Sequence, residues 1–226
     1  MGYKHVLLVE GKYDFHLIKN LLREHHISVV QPSKKLSVHM EDIVLQVEGN
    51  DDAVLRKLDL LLDDGDLETI GIILDTDSSL QGRWEAVLHR ANSYGKSTLS
   101  LKPVKKGEIG IVERKGQRSV RLGVWLMPDN EHSGMLEDFA SWLIPADDSL
   151  WLRARTCVSE IPAGEQRFAE VHRRKAELHT WLAWQKEPGR PMGLALTFRY
   201  LDANAPLARQ FVQWVGTLFN LGKTEG

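Results

Sequence analysis

The sequence predicts an α/β fold, a mainly parallel sheet flanked by helices with a helical C-terminal extension, and two observations carry that prediction. Short apolar runs alternate, over the first ninety or so residues, with longer segments whose apolar residues recur at helical spacing. Two of the runs also end abruptly in acids. His5-Val6-Leu7-Leu8-Val9 leads into Glu10-Gly11-Lys12-Tyr13-Asp14, and Ile72-Ile73-Leu74 leads into Asp75-Thr76-Asp77. Ligands of open α/β sheets bind outside the carboxyl ends of the strands. An acid at the end of a buried strand loses solvation unless a cation or hydrogen-bond donors compensate. Two acidic clusters at one sheet edge are accounted for by a shared divalent metal ion.

The elements follow in order. A strand over 5–9 enters a helix over 13–25, with Phe15, Ile18, Leu21 and Leu22 on one face. A second strand, 43–47, stops at a turn marked by Gly49 and is followed by a helix over 52–62 built on Val54, Leu55, Leu58, Leu61 and Leu62. The third strand, 69–74, delivers Asp75 and Asp77. A helix over 81–92 then places Trp84, Val87, Leu88 and Ala91 on one side. Three strand–helix units of this kind imply parallel pairing through right-handed crossovers. The pattern changes at 109–113 and 120–126, which flank a turn containing Gly116 and read as a β-hairpin. Helices are expected over 135–143, 149–160, 165–185 (the longest) and 205–221, punctuated by Pro145, Pro162 and Pro188-Gly189. Residues 223–226 are expected to fray. The expected division is an α/β domain over 1–130 and a helical region over 131–226 packed on it.

Composition excludes more than it assigns. A 226-residue chain with 42% hydrophobic and 27% charged residues is ordinary for a globular protein. The net charge of −2 gives no overall footprint for nucleic acid, leaving room only for a local basic channel. The single Cys157 excludes an internal disulfide and a thiolate metal site, and reads as a buried apolar residue in a reducing compartment. No run approaches the roughly 18 apolar residues of a membrane span, and the chain enters a strand directly, without a signal peptide. A cytoplasmic location is expected.

Glu10 and Asp14 lie four residues apart across a strand-to-helix turn that Gly11 tightens. Asp14 alone could simply complement the helix dipole. Asp75 and Asp77, on the same side of an extended chain, can share a hard cation such as Mg²⁺, whereas a helix cap needs only one of them. The order strand-Glu-Gly-x-x-Asp followed by strand-Asp-x-Asp resembles the Toprim domain, the core shared by topoisomerases, bacterial primases, recombination proteins and OLD-type nucleases. The Glu10-to-Asp14 spacing is similar to the OLD-type version. Met127-Pro128-Asp129-Asn130, Gly134-Met135-Leu136-Glu137-Asp138 and His179-Thr180-Trp181-Leu182-Ala183-Trp184 extend the likeness to a family of stand-alone prokaryotic Toprim-like proteins.

The resemblance implies Mg²⁺-dependent phosphodiester hydrolysis, with Mn²⁺ able to substitute, on DNA or RNA as the nucleic-acid partner. Glu10 would be a metal ligand or general acid/base, Asp75 and Asp77 would hold metal, and Asp14 would join the first metal's shell. Asp129, an acid after a strand, is an outer metal candidate. Lys175 is the candidate for the downstream lysine of OLD-type enzymes. An ATPase partner, as in OLD-type systems, and an oligomeric state are both compatible with it. No tyrosine-bearing cleavage domain is present, so topoisomerase activity is not expected.

Other motifs are set aside. Gly95-Lys96-Ser97-Thr98 lacks the first glycine of a phosphate-binding loop, because Arg90 stands there, and it follows a helix rather than a strand. His172 and His179 have no third partner for zinc. Trp181, Trp184 and Trp214, at helical spacing, read as core or interface before base-stacking groups. The rival from the same residues is a haloacid-dehalogenase-like phosphatase with Asp75 as nucleophile and Asp77 as acid/base. Against it, that motif belongs on a first strand and here follows a complete strand–helix unit. The rival from another class is a non-catalytic Toprim-like binding module, against which an intact set of four acids argues.

Overall fold

The computed structural model describes residues 2–32 and 38–221; the tail at 223–226 lies outside them. The strands are β1 (His5–Val9), β2 (Ile43–Val47), β3 (Thr69–Leu74), β4 (Glu108–Val112) and β5 (Val120–Leu126). They form one sheet in the order β2-β1-β3-β5-β4. β2, β1, β3 and β5 are mutually parallel, and β4 pairs antiparallel with β5 as the hairpin reading requires. Helices α1 (Lys12–Glu24), α2 (Asp51–Leu62) and α3 (Leu80–Tyr94) make the crossovers. α4 (Leu136–Ser141), α5 (Ser149–Ser159), α6 (Arg173–Ala183) and α7 (Pro206–Leu218) complete the chain.

Alternation along the strands divides the core in two. Leu7, Val9, Ile73 and Trp125 point to the face covered by α1 and by the C-terminal helices, through Phe139, Leu178, Trp181, Phe211 and Trp214. Val6, Leu8, Ile72 and Val124 point to the other face, covered by α2 and α3. Each of these large side chains contributes about 1.5–3 kcal/mol on burial. The C-terminal helices therefore share one continuous core with α1 rather than forming a separate cluster.

α7 reaches the sheet because two glycines face each other in register, Gly71 on β3 and Gly123 on β5. A Cβ at Gly123 would fall 2.5 Å from Leu218 Cδ2, and one at Gly71 would fall 2.9 Å from the same atom. The missing side chains make the seat for Leu218. Gln-Arg-Phe-Ala and its neighbours behave differently from expectation. Instead of one helix over 165–185, the structure has turns, a single 3-10 turn at Glu170–His172, and then α6. Nothing between 162 and 172 is buried, so no apolar face holds a helix there, whereas α6 buries Leu178, Trp181 and Leu182. Cys157 is exposed rather than buried. α5 buries only Ala154 and Val158, a stripe too narrow to include it.

The Gly95–Thr98 segment serves as edge cover. Ser97 bridges Val112, Thr98 N–H donates to Ile111 O at 2.9 Å, and Glu113 N–H donates to Lys96 O at 2.9 Å, so the β4 edge is not left open. No helix among the described residues is long and apolar enough to cross a membrane. If the glycine pair seats α7, Gly123→Val lowers unfolding free energy by about 1–3 kcal/mol through overpacking. Denaturant unfolding of the single and double variants checks this. Leu218→Ala combined with Gly123→Val should cost less than the sum of the two separate changes.

Candidate functional site

The parallel register of β1 and β3 aligns His5 with Thr69, so both strands finish at the same edge and release Glu10 and Asp75 side by side. Their contact is direct: Asp75 N–H donates to Glu10 Oε1 at 2.7 Å. Asp14 enters from the first turn of α1, where its Oδ2 accepts from Gly11 N–H at 3.1 Å. That contact is a helix-start contact, and Asp14 is 7% exposed, so the acid is both a structural element and part of the group.

The Asp75-Thr76-Asp77 segment does not stay extended. Thr76 is buried, and its hydroxyl lies 2.9 Å from Met127 O and 3.1 Å from Gly134 O while accepting from Gly134 N–H at 2.8 Å. Thr76 and Asp77 N–H both donate to Gly134 O. The chain then turns through the left-handed region at Asp77, with φ 47°, a conformation Asp tolerates better than most residues. Asp77 is thereby lifted toward solvent, and Asp75 stays inside. Arg83 on α3 binds this loop from behind. Its Nε donates to Asp75 O at 2.9 Å, it pairs with Asp51, and its Nη2 lies 3.5 Å from Asp77 Oδ2.

A further acid joins from α4. Glu137, 3% exposed, accepts an ion pair from Lys175 of α6 at 2.9 Å. Lys175 is thus brought to the carboxylate group across nearly forty residues of sequence, within electrostatic reach of Asp75. Burial opposes its charge, but the Glu137 carboxylate holds the ammonium above its ordinary range. Asp138, beside Glu137, accepts from Met135 N–H at 3.0 Å and pairs with Arg174 at 3.2 Å. Glu137 sits in the first turn of α4 beside an acid with an ordinary helix-start role, where carboxylates are favourable without any ligand. The signal was present in Leu136-Glu137-Asp138-Phe139, where the pattern turns Glu137 inward with Leu136 and Phe139.

Asp129 is placed differently from the metal role expected of it. Its Oδ1 accepts from Glu131 and His132 N–H, and its Oδ2 meets His132 Nδ1 at 2.8 Å. Both oxygens are engaged by its own turn. The segment after β5 sends Glu137, not Asp129, to the carboxylate group.

The electrostatics of the group are unfavourable as it stands. Burial, then Asp14, Glu10, Glu137 and Asp77, push the Asp75 carboxyl up to about 9. Burial raises Glu10 to about 7 despite the Asp75 N–H, with Asp14 adding to the rise. Burial likewise raises Asp14 to about 6 against its backbone hydrogen bonds. Asp75 Oδ1 is buried without any hydrogen-bond partner. Among the described residues, no three His, Cys, Asp or Glu side chains are arranged to hold a metal ion as they stand. Glu10 Oε1 and Asp14 Oδ2 are turned to backbone N–H groups, so a cation would draw on their second oxygens and on Asp75 Oδ1. The donor set, all carboxylate oxygen with one orphaned atom, fits a hard divalent cation such as Mg²⁺ or Mn²⁺.

The raised carboxyls make a prediction whose sign is fixed by linkage. The folded, metal-free protein retains protons that the unfolded chain releases above about pH 4, so each ionisation forced at higher pH costs stability. That cost grows as pH rises from about 4 toward about 9 for Asp75, and levels off near 7 for Glu10. In EDTA, Asp75→Asn should therefore be more stable than the wild type. The gain should widen between pH 5 and pH 9 and reach about 1–3 kcal/mol at the alkaline end. Thermal unfolding of both proteins across that range measures it.

No curated protein and no solved structure matches the chain. A family model does, over residues 4–220, which spans every element that builds the site. The chain belongs to the family described as protein of unknown function DUF3226.

Proposed function

We propose that the chain is a metal-dependent nuclease of Toprim type, hydrolysing phosphodiester bonds in DNA or RNA. The observation that carries the reading is the convergence of Glu10, Asp14, Asp75 and Glu137 at one sheet edge, with Asp75 Oδ1 buried and unpartnered. Structural acids pair with cations or cap helices, as Glu68, Asp59 and Asp148 do here. This group has one lysine and one arginine against five carboxylates, counting Asp77, and burial with its neighbours' charge holds its central member protonated at neutral pH.

Glu10, Asp14, Asp75 and Asp77 are the residues that would hold the ions, with Glu137 beside them. A divalent cation bound there supplies Lewis-acid stabilisation of the charge that develops on the phosphate. Glu10, shifted to about 7, can hold or release a proton near neutrality. Lys175, held by Glu137 and partly exposed, offers a positive charge to a phosphate oxygen at the mouth of the site. Arg83 fixes the backbone of Asp75 and offsets part of its loop's charge, so the acids keep their arrangement before any ion arrives.

Cleavage of supercoiled plasmid, single-stranded DNA and RNA by the purified protein tests this, with Mg²⁺, Mn²⁺ or EDTA and with Asp75→Ala and Glu10→Gln alongside. The expected result is cleavage that requires metal and falls to background in both variants. A metal-dependent phosphatase activity that survives Glu10→Gln would favour the haloacid-dehalogenase-like reading. An inert wild type that is folded would favour a binding module or an enzyme that needs an ATPase partner.

A further inference from the structure

We propose that the rim of this site carries a base-stacking platform, His132 and Trp142, that makes single-stranded polynucleotide the substrate class; the proposal rests on the nuclease reading above. Trp84, Trp125, Trp181 and Trp214 are buried, as an indole's apolar area favours. Trp184 leaves 40% of its surface in solvent and Trp142, at the end of α4 on the segment that builds the site, leaves 43%. His132 lies against it edge-to-face, with ring centroids 5.9 Å apart and planes at 88°, and its own side chain is 67% exposed.

This pair is held rather than loose. Asp129 accepts from the backbone N–H of Glu131 and His132 and fixes the imidazole through Nδ1 at 2.8 Å. The acid expected to bind metal is thus used to aim an aromatic ring. The same loop continues into Ser133 and Gly134. Ser133 Oγ accepts from Leu80 N–H, and Gly134 O accepts from Asp77 N–H. The platform and the Asp75–Asp77 loop are therefore one hydrogen-bonded unit.

Geometry continues the path. Asp138 lines a cleft of about 270 Å³ together with Asp77, Gly134, Arg173 and Arg174. Trp142 follows Asp138 by four residues, one helical turn along the same face. On the far side, Asn130 Nδ2 donates to Lys105 O at 3.4 Å, which seats exposed Lys105 beside the loop, where its ammonium pairs with Glu131 at 2.7 Å. Lys102 and Lys106 are also exposed on that segment. Lys105 against residues 130–131 and Arg174 against Asp138, each in an ion pair with an acid, thus border the segment that carries the exposed indole, and basic groups beside an exposed aromatic ring are the combination that tracks a backbone while stacking its bases. A duplex keeps its base faces stacked internally, so a projecting ring finds a partner only on a single strand.

The test is fluorescence anisotropy of labelled oligo(dT), oligo(U) and a DNA duplex of equal length, titrated with the full chain in EDTA. Wild type should bind the single strands more tightly than the duplex. Trp142→Ala should weaken single-strand binding about tenfold or more, and Trp142→Phe should keep most of it. The two single-stranded probes tell DNA from RNA. Circular dichroism and thermal unfolding show whether the variants are folded, which the rim position of Trp142 favours. The proposal is overturned if wild type binds no strand, if the duplex binds equally well, or if Trp142→Ala binds as wild type. Metal-dependent cleavage measured on the same samples separates the two readings. Cleavage with an unchanged KM in Trp142→Ala leaves the nuclease and removes the platform. Binding that depends on Trp142 without any cleavage keeps the platform as a binding site and removes the nuclease.

Discussion

Carboxylates packed together in a partly dry place cannot all be charged at neutral pH, and the architecture at the carboxyl edge of this sheet is arranged around that constraint. At the effective permittivity of a partly buried site, two like charges a few ångströms apart repel by several kcal/mol. A fold that merely tolerated these acids would turn them outward. Here β1 and β3 end in register and present Glu10 and Asp75 to each other, and α4, packed in the same core cluster as α1, adds Glu137. The compensation is partial. Asp75 N–H serves Glu10, Gly11 N–H serves Asp14, Lys175 serves Glu137, and Asp75 Oδ1 is left with nothing.

The rest of the molecule holds this arrangement in place. Gly71 and Gly123 let α7 lie close on the sheet, and α7 anchors the aromatic cluster of Trp125, Phe211 and Trp214. Phe139 of α4 packs edge-to-face on Phe211, so the helix carrying Glu137 is fixed by the same cluster. Thr76 is the pivot between the two halves. Its hydroxyl binds the segment after β5, which orders the loop to Gly134 and, through it, the start of α4. Arg83 holds Asp75 and Asp77 from the side of α3. Glu10, Asp14, Asp75 and Glu137 are thus attached to four different elements, the ends of β1 and β3 and the first turns of α1 and α4, and none can relax away from the others without cost to packing.

Much of this was legible in the chain itself. The apolar runs that end in Glu10 and Asp75 announce two parallel strands with acids at one edge, and the alternation and helical spacing place α1, α2 and α3 within a residue or two. What could not be read were the consequences of tertiary pairing. Asp129 and Glu137 are both acids after β5, and only the turn closed by His132 and the inward face of α4 decide which one reaches the group. Lys175 shares a run with Arg173 and Arg174, and the direction of α6 alone singles it out. Asp77 was expected to lie parallel to Asp75 in an extended chain, but Thr76 is pulled inward and the backbone turns left-handed behind it. Residues 165–172 lack a buried face, so helical propensity there had nothing to act upon.

The claim that this edge is a divalent-cation site is tested most directly by calorimetric titration of Mn²⁺ into metal-free protein near pH 7.5. Running it in two buffers of different ionisation enthalpy counts the protons released. Saturable binding with proton release is expected, because Asp75, raised to about 9, and the fraction of Glu10 still protonated, raised to about 7, must ionise to take the ion. Asp75→Asn should weaken binding and reduce the proton count. No binding at millimolar Mn²⁺, or binding that releases no protons and is unchanged by Asp75→Asn, would contradict it.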